Sequence, residues 1–295
     1  MNKPEKIVIF DYSGTLSLEA PQFGRPENLV RALTESGLAL LGVTNPKIFW
    51  EEIVFPTWIQ GSTTTTGYKR VLAERIEALG LAPGATGTEI AVAASLFVDG
   101  YLDHSRIDPH WRPILENLTG NPSAALVIAT DHYAEATGTI IRYLRSWDIP
   151  AGKAGEEAEP RFPAGNGKIR SFGKISPLFI ANSADIGFWK ADHRFWEILK
   201  SRLSHATVRS VLMIDDFGFN EEQGDRYGEW DRVEARKEQT LAVLEKAFPA
   251  AVEVIPFFLK GGERDGEAMG AERIAETARR IDRFLNPGKE RRNDS

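Results

Sequence analysis

The sequence predicts an α/β fold built on a parallel sheet, and three observations carry that expectation. Short runs of β-branched and apolar residues each give way at once to polar, glycine or acidic residues. Amphipathic helical patterns lie between those runs. One interval, from residue 11 to residue 124, interrupts the alternation with mostly helical sequence.

The runs are KIVIF (6–10), ALVIA (125–129), SVLMI (210–214) and VEVIPFF (252–258), with a weaker one, LFIA, at 178–181. Continuous apolar runs of this length read as strands buried on both faces, as in a parallel sheet. Between them, Ala136, Ile140 and Leu144 mark a helix over 132–147. Phe195, Trp196, Leu199 and Leu203 mark one over 192–203, and Ile274, Ala278, Ile281 and Leu285 one over 268–285. Alternating strands and helices imply a doubly wound sheet with right-handed crossovers.

The long interval reads as helices. Pro26 suits a first turn, NLVRALTESG ends on Gly37, and YKRVLAERIEALG ends on Gly80. TEIAVAASLFVDGYL follows the loop APGATG, and DPHWRPILENL (108–118) leads into the second strand. Residues 17–107 therefore read as a helical insertion, a cap domain, on a core made of 1–16 and 108–295. GSTTTTG (61–67) reads as a hydroxyl-bearing hinge or loop, 152–168 as a surface loop or a small excursion, and the tail NPGKERRNDS as frayed. The run EEQGDRYGEWDRVEARKE reads as a solvated helix of mixed charge.

Composition narrows the function classes. A chain of 295 residues, 42% hydrophobic and 26% charged, can bury a sizeable core. A net charge of -6 argues against a dedicated nucleic-acid binder. No apolar run reaches membrane-spanning length, and the opening MNKPEK lacks a signal-peptide apolar stretch, so a cytoplasmic protein is expected. Without cysteine, disulfides, thiolate zinc sites and a thiol nucleophile are excluded.

Ligands of an open parallel sheet bind beyond the carboxyl ends of its strands. There the first strand delivers Asp11, the second Thr130, Asp131 and His132, and the fourth Asp215 and Asp216, while Lys190 precedes the helix at 192–203. Each has a plainer reading alone: an Asp or Thr at a strand end often caps a turn, and a lysine is usually solvated. Adjacent carboxylates ending an apolar strand, however, repel each other without a cation. His132 stands alone, without the clustered histidines of a metal site, and reads as a supporting or surface residue.

In order, IVIFDYSGTL, ALVIATDHY, DIGFWKADHRFW and VLMIDDFGFNEEQGD resemble the four motifs of the haloacid dehalogenase superfamily of hydrolases. The insertion falls where that family's C1 helical caps are placed. The resemblance implies a Rossmann-like core with a C1-type cap and assigns roles to matching residues. Asp11 would be a nucleophile forming an aspartyl intermediate. Thr130 would hold a phosphoryl oxygen, with Asp131 and Lys190 also at the substrate, and Lys190 would neutralise Asp11. Mg²⁺ would be held by Asp11, the Ser13 position, Asp215 and Asp216, a set that suits its preference for few carboxylates plus water and phosphate oxygens. Asn220 would orient the acidic loop.

Ser13 departs from the pattern: phosphatases of the family usually carry there an Asp that protonates the leaving group and then activates water. A serine hydroxyl cannot replace it, and general acid–base help is worth about 10²–10⁴ in rate. Three readings follow. The protein is a phosphohydrolase that is slower or draws its acid from elsewhere, with His132 or a cap residue as candidates. It cleaves a C–P bond, as phosphonoacetaldehyde hydrolase does through a cap lysine; Lys47 and Lys69 are the cap lysines. Or it binds a phosphate ligand without turnover. Haloacid dehalogenation fits less well, because dehalogenases do not keep the Asp215–Asp216 pair. The expected partner is a small phosphorylated metabolite, with no nucleic acid and no membrane. In the cap, Phe49, Trp50, Phe55, Trp58 and Tyr68 read mainly as bundle core with one or two lining a pocket, and Lys69 and Arg70 as contacts for an anionic group.

Overall fold

A computed structural model describes residues 4–156, 161–163, 169–171, 177–203, 208–221, 230–259 and 266–287. In chain order the core strands are β1 (Lys6–Phe10), β2 (Ala124–Thr130), β3 (Ala151–Lys153), β4 (Arg161–Pro163), β5 (Ile169–Ser171), β6 (Leu178–Asn182), β7 (Ser210–Asp215) and β8 (Ala251–Pro256). The helices are α1 (Pro26–Glu35), α2 (Phe55–Thr63), α3 (Tyr68–Leu79), α4 (Gly87–His104), α5 (Arg112–Thr119), α6 (Ala134–Ser146), α7 (Ser183–Ile186), α8 (His193–Leu203), α9 (Trp230–Ala247) and α10 (Gly266–Leu285). A six-stranded sheet runs in the order β3-β6-β2-β1-β7-β8, and every pairing in it is parallel. The fold is α/β, as the alternation predicts.

Strand alternation sorts the core into two layers. Val8, Phe10, Leu126, Ile128, Leu212 and Ile214 face one side, where α5, α6 and α10 cover them. Ile7, Ile9, Val127, Ala129, Val211 and Met213 face the other, against α8 and α9. Both faces of β1, β2 and β7 are buried, which is why those strands read as unbroken apolar runs. The edge strand β8 differs from the sequence expectation: its outer residues alternate with solvent, since Glu253 and its neighbours have sheet on one side only.

All described elements between β1 and β2 are helical. A capping box opens α4: Thr86 Oγ1 accepts from Glu89 N at 3.3 Å while Glu89 Oε2 accepts from Thr86 N at 2.7 Å. Gly80, at φ 62°, closes α3 as the sequence predicts. The segment expected as a loop at 61–67 is partly helix. Ser62 and Thr63 hydroxyls bond back to the carbonyls of Trp58 and Ile59, both at 2.6 Å, which carries α2 through Thr63. Within 152–168, β3 joins the main sheet and β4 pairs antiparallel with β5, so of the two readings the described residues form a small excursion with strands and not a plain loop; 157–160 and 164–168 lie outside the described residues. So does the tail from 288. No helix among the described residues is long and apolar enough to cross a membrane.

Sheet order places the site. The chain steps from β1 to one side to form β2 and later returns to the other side as β7, so strand order reverses beside β1. Phe10 pairs with Ile128 and with Ile214. The residues that end these three strands therefore meet at one edge, where open α/β sheets bind ligands.

Candidate active site

Asp11 leaves β1 with its N–H donated to Ile214 O at 2.8 Å, and it is buried. The chain then tightens on itself: Leu16 and Ser17 N–H groups both bond Tyr12 O, at 2.9 and 2.8 Å. Gly14 sits at φ 73°, and a Cβ there would lie 2.5 Å from Asp216 Oδ2, so only glycine lets the two loops approach this closely. Thr15 Oγ1 accepts from Asp216 N at 3.1 Å and ties the loops together.

Lys190 is the hub of the charges. Its Nζ donates to Asp11 Oδ1 at 2.6 Å and to Asp215 Oδ2 at 2.7 Å, all three groups buried. Its backbone is fixed as well: Lys190 N donates to Asp131 Oδ1 at 2.9 Å, and Trp196 Nε1 donates to Lys190 O at 2.7 Å. Asp131 thus lines the cavity and also aims the lysine. Thr130 ends β2 buried at the same cavity wall.

Asp11, Asp215 and Asp216 each offer a carboxylate oxygen within 4.8 Å of the others. Burial, then the charges of Asp11, Asp215 and Glu221, hold the Asp216 carboxyl well above the usual carboxylate range. Burial also pushes Asp11 up, against the pull of Lys190. Several carboxylates thus face one ammonium, and hard oxygen donors so crowded suit a divalent cation. Asp215 already gives Oδ2 to Lys190 and Oδ1 to Phe217 N at 2.6 Å, which leaves Asp11 and Asp216 the better ligands. Asn220 sews the loops together: Nδ2 reaches Gly14 O at 2.7 Å and Phe257 O at 2.8 Å, and its N–H meets Asp216 Oδ2 at 2.9 Å.

Ser13 Oγ donates to Glu221 Oε1 at 2.8 Å. A carboxylate therefore does stand beside position 13, supplied by the loop after β7. Nothing in the strand-end pattern flags Glu221; it lies in an acidic stretch that reads as surface.

His132 is not available as an acid. Its Nδ1 accepts from Tyr133 N at 2.8 Å, which places the ring proton on Nε2, 3.0 Å from Tyr101 Oη. Burial pushes its pKa down to about 4, so the ring stays neutral at physiological pH. It is a buried prop, with Asn182 and Ser183 accepting from its own backbone N–H at 3.2 and 3.1 Å.

Over these groups lies a cavity of about 360 Å³, floored by the strand ends and walled by the helical insertion. Phe49, Trp50, Phe55, Trp58 and Tyr68 all line it, more than the one or two expected. Lys69 and Arg70 do not: Lys69 Nζ pairs with Asp99 at 2.6 Å and Arg70 Nε lies 3.3 Å from Glu74. Beside Lys190, the positive groups come instead from α9, where exposed Arg232 and half-buried Arg236, one turn apart, line the wall, Arg236 near Asp131. The mixed-charge helix is thus not wholly solvent-facing.

No protein-family model matches the chain, and no curated protein matches it. Among solved structures, a 2-haloacid dehalogenase from Pseudomonas syringae pv. Tomato DC3000 superposes with a TM-score of 0.50 at 15% identity, covering 94% of this chain and 99% of that one. A putative HAD-hydrolase, YfnB from Bacillus subtilis bound to magnesium, gives 0.44 at 13% identity over 89% and 92%. A phosphonoacetaldehyde hydrolase like protein from Oleispira antarctica gives 0.36 at 15% over 94% and 95%. Near-complete mutual coverage with the first of these, together with the parallel sheet, shows the fold: this chain has the haloacid dehalogenase fold.

Proposed function

We propose that the protein is a Mg²⁺-dependent phosphohydrolase acting on a small phosphorylated metabolite, with Asp11 as nucleophile and residues 17–107 as its cap. The observation that carries this reading is Lys190 bridging Asp11 and Asp215 beside the Asp216 carboxyl. Lys190 holds Asp11 Oδ1, so the second carboxylate oxygen attacks phosphorus while the ester P–O bond breaks. Lys190 and Thr130 hold the transferring oxygens. A cation on Asp11, Asp216 and the Ser13 carbonyl would offset repulsion between carboxylate and phosphate.

Glu221, reached through Ser13, takes the role of the missing carboxyl. When Glu221 is protonated the bond that runs from Ser13 Oγ to Glu221 Oε1 reverses, and Glu221 gives its proton to Ser13 Oγ as the Ser13 hydroxyl proton passes to the leaving alkoxide. In the second half the water attacking the aspartyl-phosphate loses its proton to Ser13 Oγ, whose own proton returns to Glu221 Oε1. This releases phosphate and restores Asp11.

C–P cleavage through a cap lysine is disfavoured, since neither Lys47 nor Lys69 lines the cavity. A non-catalytic binder is disfavoured by a cavity that reaches Asp11. The partner we propose is a small molecule in the cytoplasm, not nucleic acid or membrane. Phosphate release from a panel of phosphate esters and phosphonoacetaldehyde, with Mg²⁺ or EDTA and Asp11→Asn as control, tests the reading. Metal-dependent release lost in the variant is expected; release unchanged in Asp11→Asn would sink the nucleophile assignment.

A further inference from the structure

The cavity is polarised. Its charged groups come from the strand ends, the loop before α8, the loop after β7 and α9. Every residue that the insertion contributes is uncharged, and most are aromatic or aliphatic, including Phe23, Phe49, Trp50, Trp58 and Phe97. A polyhydroxylated body lodged against such a wall would leave its hydroxyls unpaired, at a cost in affinity for each.

Among the insertion's wall residues, side-chain hydrogen-bonding groups are few. Trp58 and Trp50 carry indole N–H groups, and Tyr101 Oη is held by His132 Nε2 at 3.0 Å. Tyr68 is different. It is 2% exposed, and its hydroxyl is buried without a well-formed hydrogen bond. The Tyr133 hydroxyl is its polar neighbour, on a ring stacked at 3.7 Å between centroids and 8° between planes. Burial raises the Tyr68 pKa, so the hydroxyl is a neutral donor. Gly61 permits this stack: a Cβ there would press to 3.2 Å from Tyr68 Cδ2 and 3.3 Å from Tyr133. A buried phenol without a well-formed hydrogen bond, on a residue that lines the cavity, marks where a ligand atom belongs.

We propose that the substrate is a phosphate monoester of an apolar, ring-bearing alcohol with one hydrogen-bond acceptor on its far side, which Tyr68 reads. This rests on the phosphohydrolase reading of Asp11. The phosphate sits on the charged floor, the ring against Phe49, Trp50 and Trp58, and the acceptor takes the Tyr68 O–H. The cavity volume is in the small-molecule range.

The test uses the full chain with Mg²⁺ and esters of primary alcohols, so that leaving-group strength is alike: 2-phenylethyl phosphate, 2-(4-methoxyphenyl)ethyl phosphate, glycerol 3-phosphate and glucose 6-phosphate. The aryl esters are expected to exceed the polyol esters at least tenfold in kcat/KM. The methoxy ester should exceed its parent about fivefold, mostly through KM, and Tyr68→Phe should bring that ratio to about one. Equal or better turnover of the polyol esters would overturn the substrate class while leaving the phosphohydrolase reading intact. A methoxy preference unchanged in Tyr68→Phe would overturn the role of Tyr68. If no ester is hydrolysed, the reading of Asp11 fails, and calorimetry with 3-phenylpropylphosphonate against propylphosphonate decides the rest. At least tenfold tighter binding of the aryl compound supports the apolar subsite, and equal binding overturns it.

Discussion

Ser13 shows how one side chain is understood only with its neighbour. Its hydroxyl reaches Glu221 at 2.8 Å, so removing either should break the proton path. Ser13→Ala and Glu221→Gln are each expected to lower turnover of an alkyl phosphate by about 10²–10⁴, and to lower that of p-nitrophenyl phosphate far less, since its leaving group needs no acid. Equal losses on both substrates would contradict the relay. Restoring an Asp at position 13 should not restore the usual chemistry, because it would face Glu221 and Asp216; Ser13→Asp should gain activity only when paired with Glu221→Gln. His132 gives a second test. Its pKa lies at about 4 when folded against 6.5 unfolded, so below pH 6.5 the unfolded chain takes a proton that the folded chain refuses. Stability contributed by this group is therefore intact above about 6.5 and falls as pH drops towards 4, by up to about 1.4 kcal/mol per pH unit. In a ring-proton NMR titration the His132 signal should stay unshifted down to about pH 5, and a midpoint near 6.5 would contradict its burial. Asp11, Lys190 and the Asp215–Asp216 pair were legible in the sequence because each follows an apolar run or precedes a marked helix. Glu221 and Tyr68 were not, because their meaning comes from loops and helices that only tertiary packing brings together.

Helices and strands were legible in proportion to how locally they are determined. The ends of α3 and the start of α1 follow from Gly80 and Pro26. Strands β1, β2 and β7 declare themselves through burial on both faces. β8 reads as equally buried because its apolar run hides its place at the sheet edge, which only strand order fixes. The extension of α2 through Thr63 is hidden in the sequence for another reason: hydroxyl-rich sequence favours turns unless the hydroxyls bond back along the helix, as those of Ser62 and Thr63 do. The capping box of α4 permits a clean test at this scale. Thr86 lies at the start of that helix, outside the cavity wall. Thr86→Ala should cost about 0.5–2 kcal/mol in denaturant unfolding and leave KM unchanged. A change in KM without loss of stability would mean that the α4 terminus takes part in binding.

Across the whole molecule, a sheet edge concentrates acid that the fold alone does not balance, under an insertion that supplies aromatic wall and no charge. The cation we propose for this site would tie stability to its concentration. Addition of Mg²⁺ should raise Tm in a concentration-dependent way, by about 2.7 kcal/mol of stability at a hundred times Kd, and Asp216→Asn should remove the effect. A Tm indifferent to Mg²⁺ in the unsubstituted protein would remove the cation from the site. The division of labour is legible in outline, as a helical interval over a strand-end cluster, but the polarity of the cavity is not, because Lys69 and Arg70 turn to Asp99 and Glu74 while α9 brings Arg232 and Arg236 to the cavity wall. The central claim is that Asp11 becomes covalently phosphorylated. Rapid acid quench during turnover of a hydrolysed ester, followed by peptide mass analysis, tests it most directly. The expected result is one added phosphoryl group on the peptide that carries Asp11, absent in Asp11→Asn; steady turnover with no such adduct at any quench time, and turnover retained in Asp11→Asn, would contradict it.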